Sequence, residues 1–257
     1  MTSEHEAQTS VESGSRPMTL AARFTNVFVA PGEVFEAVRE GPPSMGSWLM
    51  PFLLACVVAV THVLVLFSQE TTLHQVREMQ ERALDRKLAK IPAEQADQVR
   101  QKVEQFSRPE ILKITGSVGA VVGQSSSFFL VALFFWLVGT RFLGGRFGYG
   151  AALEVCGLAN LIGVVGAVMG TMLMAGFGNI LASPGPILLV REMDPANGWH
   201  LVLASISIMT LWQLGVVAVG LARLSGTTFR RTVWWVVVPW VFYRGAAALA
   251  GWAGSRL

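Results

Sequence analysis

Few residues in the apolar parts of this 257-residue chain could take part in chemistry. Hydrolysis or group transfer needs an acid, a base or a nucleophile converging on one point. The apolar stretches offer one carboxylate, Glu154, and one imidazole, His62, at no shared spacing. Cys56 and Cys156 lie singly in different stretches, so they form neither a metal motif nor a disulfide framework. The pattern predicts a protein that is not an enzyme and uses no cofactor or metal.

A small set of polar groups lies at membrane depth and could have an intramembrane function. A charge at such a depth is costly and suggests a function by default, whereas amides and hydroxyls also bond between helices. For Arg244, near the C-terminus, the alternative is that its side chain extends to the membrane interface. A pair between Arg244 and Glu154 is not expected, because their depths in the membrane differ by roughly 13 Å at 1.5 Å per residue. The candidates are Gln124, Glu154, Asn160, Gln213 and Arg244.

The elements that must position these residues are membrane helices. Hydrophobic residues make up 52% of the chain and charged residues 14%, with a mean hydropathy of +0.49. Each long apolar run reaches the roughly 20 residues that a helix needs to cross the hydrocarbon core. We therefore predict an all-α polytopic membrane helical bundle with five transmembrane helices. The predicted spans are 48–67, 114–138, 151–177, 201–221 and 233–252.

The N-terminal region precedes the first span. Residues 1–19 are polar and predict a disordered tail ahead of the membrane domain at 20–257. From Leu20 to Glu40, apolar residues recur at helical spacing around a break at Pro31, which suits the first position of a second helix. Two amphipathic helices at the membrane interface are predicted, with docking of a partner as the alternative.

Residues 68–110 form a charged insertion after the first span. They hold eight basic and eight acidic residues, and apolar positions recur at helical spacing on both sides of Pro92. A proline within such a pattern separates two helices. A helical hairpin outside the membrane is therefore predicted.

Small residues in the second and third spans form ladders that let helix backbones approach closely. The glycines predicted to pack helices are Gly119, Gly123, Gly163, Gly166 and Gly170.

Arginines in the short loops predict the orientation. Five of them follow the second and fourth spans and one follows the third, and basic loops favour the cytoplasm. The N-terminus is therefore expected in the cytoplasm, and the C-terminus and the 68–110 hairpin outside it. These arginines are Arg141, Arg146, Arg191, Arg223, Arg230 and Arg231.

Three segments resemble the Yip-domain family of Ypt/Rab-interacting membrane proteins, especially its bacterial branch. They are Asn26-Val27-Phe28 with Ala30-Pro31-Gly32-Glu33-Val34-Phe35, Trp48 and Pro51; Gly144-Gly145-Arg146-Phe147-Gly148-Tyr149 with Ala151-Ala152-Leu153; and Trp212 with Gly220-Leu221-Ala222-Arg223-Leu224-Ser225-Gly226.

The resemblance extends from about residue 20 to residue 238 and implies five membrane helices and a cytoplasmic N-terminus. It also implies a non-enzymatic protein of the inner membrane in a bacterium. Eukaryotic members are associated with Rab-type GTPases, but the charged hairpin departs from their compact pattern. A small GTPase is therefore not carried over as a partner.

Two functional hypotheses remain open. The first is a scaffold that organises membrane or protein assemblies, with the lipid bilayer and other membrane proteins or a second copy as partners. The alternative is a subunit of a transporter or channel, lined by Gln124, Ser125–Ser127, Asn160, Gln213 and Arg244. The net charge of +3 is mild and lacks nucleic-acid-type clusters, so no nucleic acid is expected.

Overall fold

The computed structural model describes residues 18–89, 91–194 and 197–256, so the tail predicted at 1–19 lies almost wholly outside it. Of the residues in these ranges 81% are helical, and none of them lies in a strand. The all-α prediction is confirmed. The helices are α1 (Leu20–Asn26), α2 (Pro31–Glu40), α3 (Met45–Leu66), α4 (Glu70–Leu88), α5 (Ala93–Phe106), α6 (Pro109–Leu137), α7 (Tyr149–Phe177), α8 (Gly198–Ser205), α9 (Ile208–Ser225) and α10 (Phe229–Arg256).

Four helices of the described chain are long and apolar enough to cross a membrane: α3, α6, α7 and α9. A π-helical segment, Val138–Phe142, extends α6 to a total of 34 residues. The predicted spans 48–67, 114–138 and 151–177 lie in the first three of these helices to within a residue. The predicted fifth span, 233–252, lies inside α10, which is not among the four, so five spans stay a prediction.

The fourth predicted span differs from the structure at its start. The predicted span begins at Leu201, but α9 begins at Ile208, after the separate short helix α8. Ser207 is extended, and its hydroxyl accepts a hydrogen bond from the backbone N–H of Met209 at 3.3 Å, which caps α9. The apolar run continues across the break without glycine or proline, so hydropathy gave no signal for it.

The core is built around α7. Its N-terminal half is buried from Ala152 to Ala159, and it packs against α3, α6 and α9. Close approach of α3 depends on Gly157, since a Cβ there would lie 2.7 Å from the Trp48 Cβ. Small residues therefore bring these helices together at the level of the α3 N-terminus.

The two N-terminal helices form as the sequence predicts. The Thr19 hydroxyl accepts from the Ala22 N–H at 3.2 Å and caps α1, and Pro31 occupies the first turn of α2. On α2, Val34 and Phe35 are fully buried and pack towards α7 and α9. The amphipathic face of α2 is therefore covered by the bundle itself, at the end where α3 begins and α9 ends.

The insertion after the first span is the predicted pair of helices, α4 and α5, broken before Ala93. Its base is fixed to the loop after α7: the Gln75 amide donates to the Gly178 carbonyl at 2.8 Å and accepts from the Ile180 N–H at 3.1 Å. Farther out, Arg100 and Asp85 form an exposed ion pair at 3.0 Å between the two helices.

Candidate functional site

A buried ion pair joins the N-terminal segment to the centre of the bundle. The Arg23 Nη1 donates to Glu154 Oε2 at 3.1 Å and to the Ser47 hydroxyl at 3.0 Å. The other carboxylate oxygen, Glu154 Oε1, accepts from the Ser44 backbone N–H at 2.9 Å. Arg23 is 6% exposed and Glu154 is 1% exposed, so both charges are withdrawn from water.

Three helices meet at this pair, and each supplies one part of it. Arg23 comes from α1, Glu154 from the second turn of α7, and Ser44 and Ser47 from the start of α3. A helix N-terminus has unpaired N–H groups and a partial positive charge, which favour a carboxylate there. Glu154 therefore satisfies the α3 N-terminus and Arg23 together, and its two oxygens are divided between them.

The energetics of the pair follow from its burial. An isolated buried charge is strongly unfavourable, whereas a hydrogen-bonded pair roughly balances its own desolvation. Removing one partner leaves the other uncompensated, at a cost of about 3–5 kcal/mol. The main effect of the pair is therefore to fix the position of α1, and its net contribution to the free energy of unfolding is small.

The five polar candidates from the sequence have different surroundings. Glu154 belongs to the ion pair, whereas Gln213 lies on α9 beside Gly163 of α7, where an added Cβ would be 2.7 Å from its Oε1. Asn160 is farther along α7, and its buried Nδ2 has no hydrogen-bond partner within the described part of the chain. Gln124 lies half-buried on α6, and Arg244 is exposed on α10.

The predicted packing glycines fall into two groups. A Cβ on Gly163 would press on Gln213, and one on Gly166 would lie 2.7 Å from the Met209 Cβ, so α9 approaches α7 closely there. A Cβ on Gly119, Gly123 or Gly170 would meet nothing within 4 Å. These three glycines support no close contact within the described chain.

Three other residues singled out in the sequence have ordinary surroundings. The His62 Nδ1 lies 2.9 Å from the Thr171 hydroxyl, which links α3 to α7 by a neutral hydrogen bond. Cys56 and Cys156 are both free thiols, and Cys156 is buried. Neither cysteine lies in the ion-pair cluster.

Arg23 is the functional candidate that the sequence analysis missed. Arg23 and Val27 are four residues apart and so share one face of α1, and Val27 is fully buried. Two features of the sequence could have indicated this pair. One is a single arginine on the apolar face of a short helix, and the other is a single carboxylate in the apolar runs. The two partners are 131 residues apart in the chain, so no local pattern of residues links them.

The fold and the site define the class: an integral membrane protein with several apolar helices and a buried ion pair between its N-terminal segment and its central helix. Residues 25–251 match the model of the Yip1 domain, so the chain belongs to the Yip1 domain family, and the resemblance found in the sequence is confirmed. The chain is 25% identical over 223 residues to Membrane protein YknW of Bacillus subtilis (strain 168), with 85% of each chain covered. No solved structure gives a significant match.

Proposed function

We propose that this protein is a non-enzymatic scaffold of the bacterial inner membrane that organises other membrane proteins, or copies of itself, through the α4–α5 hairpin. The observation that carries the proposal is the open groove of about 930 Å³ along the two helices. Arg77, Leu84, Arg100 and Val103 are among the residues that line it. Both charge signs around apolar side chains suit a protein surface of mixed charge.

Exposed apolar side chains near this groove support the same proposal. Phe106 is 64% exposed, and Met79 and Val99 are also exposed, although the hairpin is otherwise highly charged. Apolar side chains of this size on a charged arm are typical of an interaction surface. Partners would bind here, and the membrane part would hold the arm in place.

The surroundings of the polar groups in the spans favour a scaffold over the alternative, a transporter or channel subunit. A transported solute needs polar groups that converge on one cavity near mid-membrane. Neither of the two grooves, on the hairpin or beside α2, is lined by Gln124, Asn160 or Gln213. His62 pairs locally with Thr171.

Site-specific photocrosslinking in cells that make the full chain tests the scaffold function. A crosslinker replacing Val103, which lines the groove, is expected to give discrete protein adducts. The control is a crosslinker at the exposed Gln95 on the same helix, outside the groove lining. Equal adducts at both positions, or adducts with lipid alone, would contradict the proposal.

The orientation is a further part of the proposal: a cytoplasmic N-terminus and an extracytoplasmic hairpin. In a chain whose Cys56 and Cys156 are replaced by alanine, Gln95→Cys and Gly148→Cys place single thiols in the hairpin and in the loop between α6 and α7. In intact cells an impermeant maleimide is expected to label the first and not the second. Labelling of both, or of neither until the membrane is opened, would place the two loops in one compartment and refute the topology.

A further inference from the structure

A second groove, of about 650 Å³, lies where α1, α2 and the end of α9 meet. Its lining includes Arg23 from α1, Glu33 and Glu36 from α2, and Arg223 from the last turn of α9. Gly41 and Pro42, which lead into α3, form another part of it. Because α3 starts and α9 ends here, the groove lies at the level of the lipid head groups. Its volume is in the range of ligand pockets.

Two buried polar atoms on groove residues have no hydrogen-bond partner among the residues that the structure describes. The Nε of Arg23 is one, although Arg23 is only 6% exposed, because the pair to Glu154 and Ser47 uses Nη1. The Oε2 of Glu36 is the other: Arg39 donates to the second carboxylate oxygen, Oε1, and the Arg223 Nη1 lies 3.9 Å from Oε2. One unpaired donor and one unpaired acceptor therefore belong to the same groove, and buried groups of this kind normally have partners.

The charged residues that line the groove limit which kinds of ligand could bind there. Its lining holds three carboxylates, on Glu33, Glu36 and Glu40, and two guanidinium groups, on Arg23 and Arg223. The Arg23 charge is met by Glu154, and the Glu36 and Glu40 carboxylates both pair with Arg39. Among the described lining residues this leaves Glu33 and Arg223 for a ligand, so a simple anion would meet Arg223 but not Glu33. A simple cation would leave the Arg23 Nε unpaired. A ligand with both charges satisfies the acceptor and the donor together.

We propose that this groove binds the head group of a zwitterionic aminophospholipid, with the primary ammonium on the α2 carboxylates and the phosphate at Arg223 and Arg23. A primary ammonium donates up to three hydrogen bonds, which a quaternary choline group lacks. Phosphatidylethanolamine therefore fits, whereas phosphatidylcholine lacks the donors and phosphatidylglycerol lacks the amine. This site is independent of the hairpin and of the scaffold function proposed for it.

Gly32 provides a steric test that leaves every charge in place. It lines the groove, and a Cβ there would lie 3.3 Å from the Arg223 Nη2. A leucine at this position would fill the groove and displace the Arg223 side chain. Glu33→Gln is the matching electrostatic test, because Glu33 is exposed and its replacement keeps the shape.

Native mass spectrometry of the purified full-length protein, released from vesicles with equal amounts of the three phospholipids, measures which lipid is retained. Phosphatidylethanolamine is expected to exceed each of the others by about tenfold, roughly the contribution of one charge-assisted hydrogen bond. Gly32→Leu and Glu33→Gln should each abolish most of this preference. Glu78→Gln in the hairpin is the control and should leave it unchanged.

Three results would overturn the site. They are equal retention of all three lipids, a preference for phosphatidylglycerol, and a phosphatidylethanolamine preference that Gly32→Leu and Glu33→Gln leave intact. Free phosphoethanolamine, added at the lipid concentration, should not displace the lipid; if it does, the ligand is the soluble head group rather than a membrane lipid. Melting temperatures of the variants show that each is folded, and Glu33→Gln tests the site even if Gly32→Leu unfolds.

Discussion

The start of α7 and the hairpin formed by α4 and α5 use charge in opposite ways. At the start of α7 one arginine and one carboxylate are buried together, and each is hydrogen-bonded to the α3 N-terminus or to its serine hydroxyl. The hairpin segment, residues 68–110, contains sixteen charged residues, and its ion pairs, such as Arg82–Glu78 at 2.5 Å, are about half exposed.

The number of ion pairs therefore says little about which interactions stabilise this protein. Water screens the hairpin pairs, and such pairs contribute at most about 1 kcal/mol each. The buried pair lies outside that screening, so its members depend on each other. Losing one member should therefore disturb the structure far more than losing any hairpin charge.

The largest expected effect is on the buried pair. Arg23→Met leaves Glu154 buried without its cation, and we expect a loss of about 3–5 kcal/mol in the free energy of unfolding. Glu154→Gln should cost a similar amount. Thermal unfolding in detergent measures both variants against the unmodified chain.

The double variant Arg23→Met with Glu154→Leu sharpens the test. Removing both charges leaves no unpaired ion, so we expect most of the lost stability to return. Losses that simply add in the double variant would show that the two residues act separately, and the comparison would fail.

A smaller effect is expected where α3 approaches the same end of α7. A Cβ at Gly157 would lie 2.7 Å from the Trp48 Cβ and 3.0 Å from the Ser47 carbonyl oxygen, so Gly157→Ala should overpack this contact by about 1–3 kcal/mol. Gly170→Ala is the matched control on the same helix, because a Cβ there meets nothing within 4 Å. Equal melting temperatures for the two variants would refute the close packing.

A neutral polar contact at membrane depth should rank third. His62→Phe removes the hydrogen bond to Thr171, and bonds of this kind between membrane helices contribute about 0.6 kcal/mol on average. Thr171→Val removes the same bond from the other side and should lower the melting temperature by a similar amount. A loss as large as that of Arg23→Met would assign His62 a role beyond packing.

The smallest effect is expected in the hairpin. Arg100→Ala breaks the ion pair with Asp85, and both side chains are more than 60% exposed. The change in stability should stay below about 1 kcal/mol and should shrink further at high salt. A larger loss would mean that the hairpin, too, depends on specific pairs.

Much of the fold follows from patterns that act over neighbouring residues. The hydropathy of the first three spans, the proline before Ala93 and the proline at the start of α2 each predict a helix or a break locally. The start of α9 does not, because its boundary depends on the capping hydroxyl of Ser207 within a continuous apolar run.

The site is harder to predict than the spans. Glu154 was singled out because a carboxylate in an apolar run is conspicuous by itself, but its partner is a contact between two single residues with no periodicity. The groove beside α2 likewise joins residues 18–42 to Arg223, which is distant in the chain, and only the folded arrangement brings them together.

The separation of Arg23 from Glu154 also constrains the order of assembly. The arginine is made 131 residues before the carboxylate, so during synthesis it has no partner until the third span exists. Until then its charge must stay hydrated, and α1 cannot take its final buried place. The helix α1 therefore settles in its buried place only after α7 has been made.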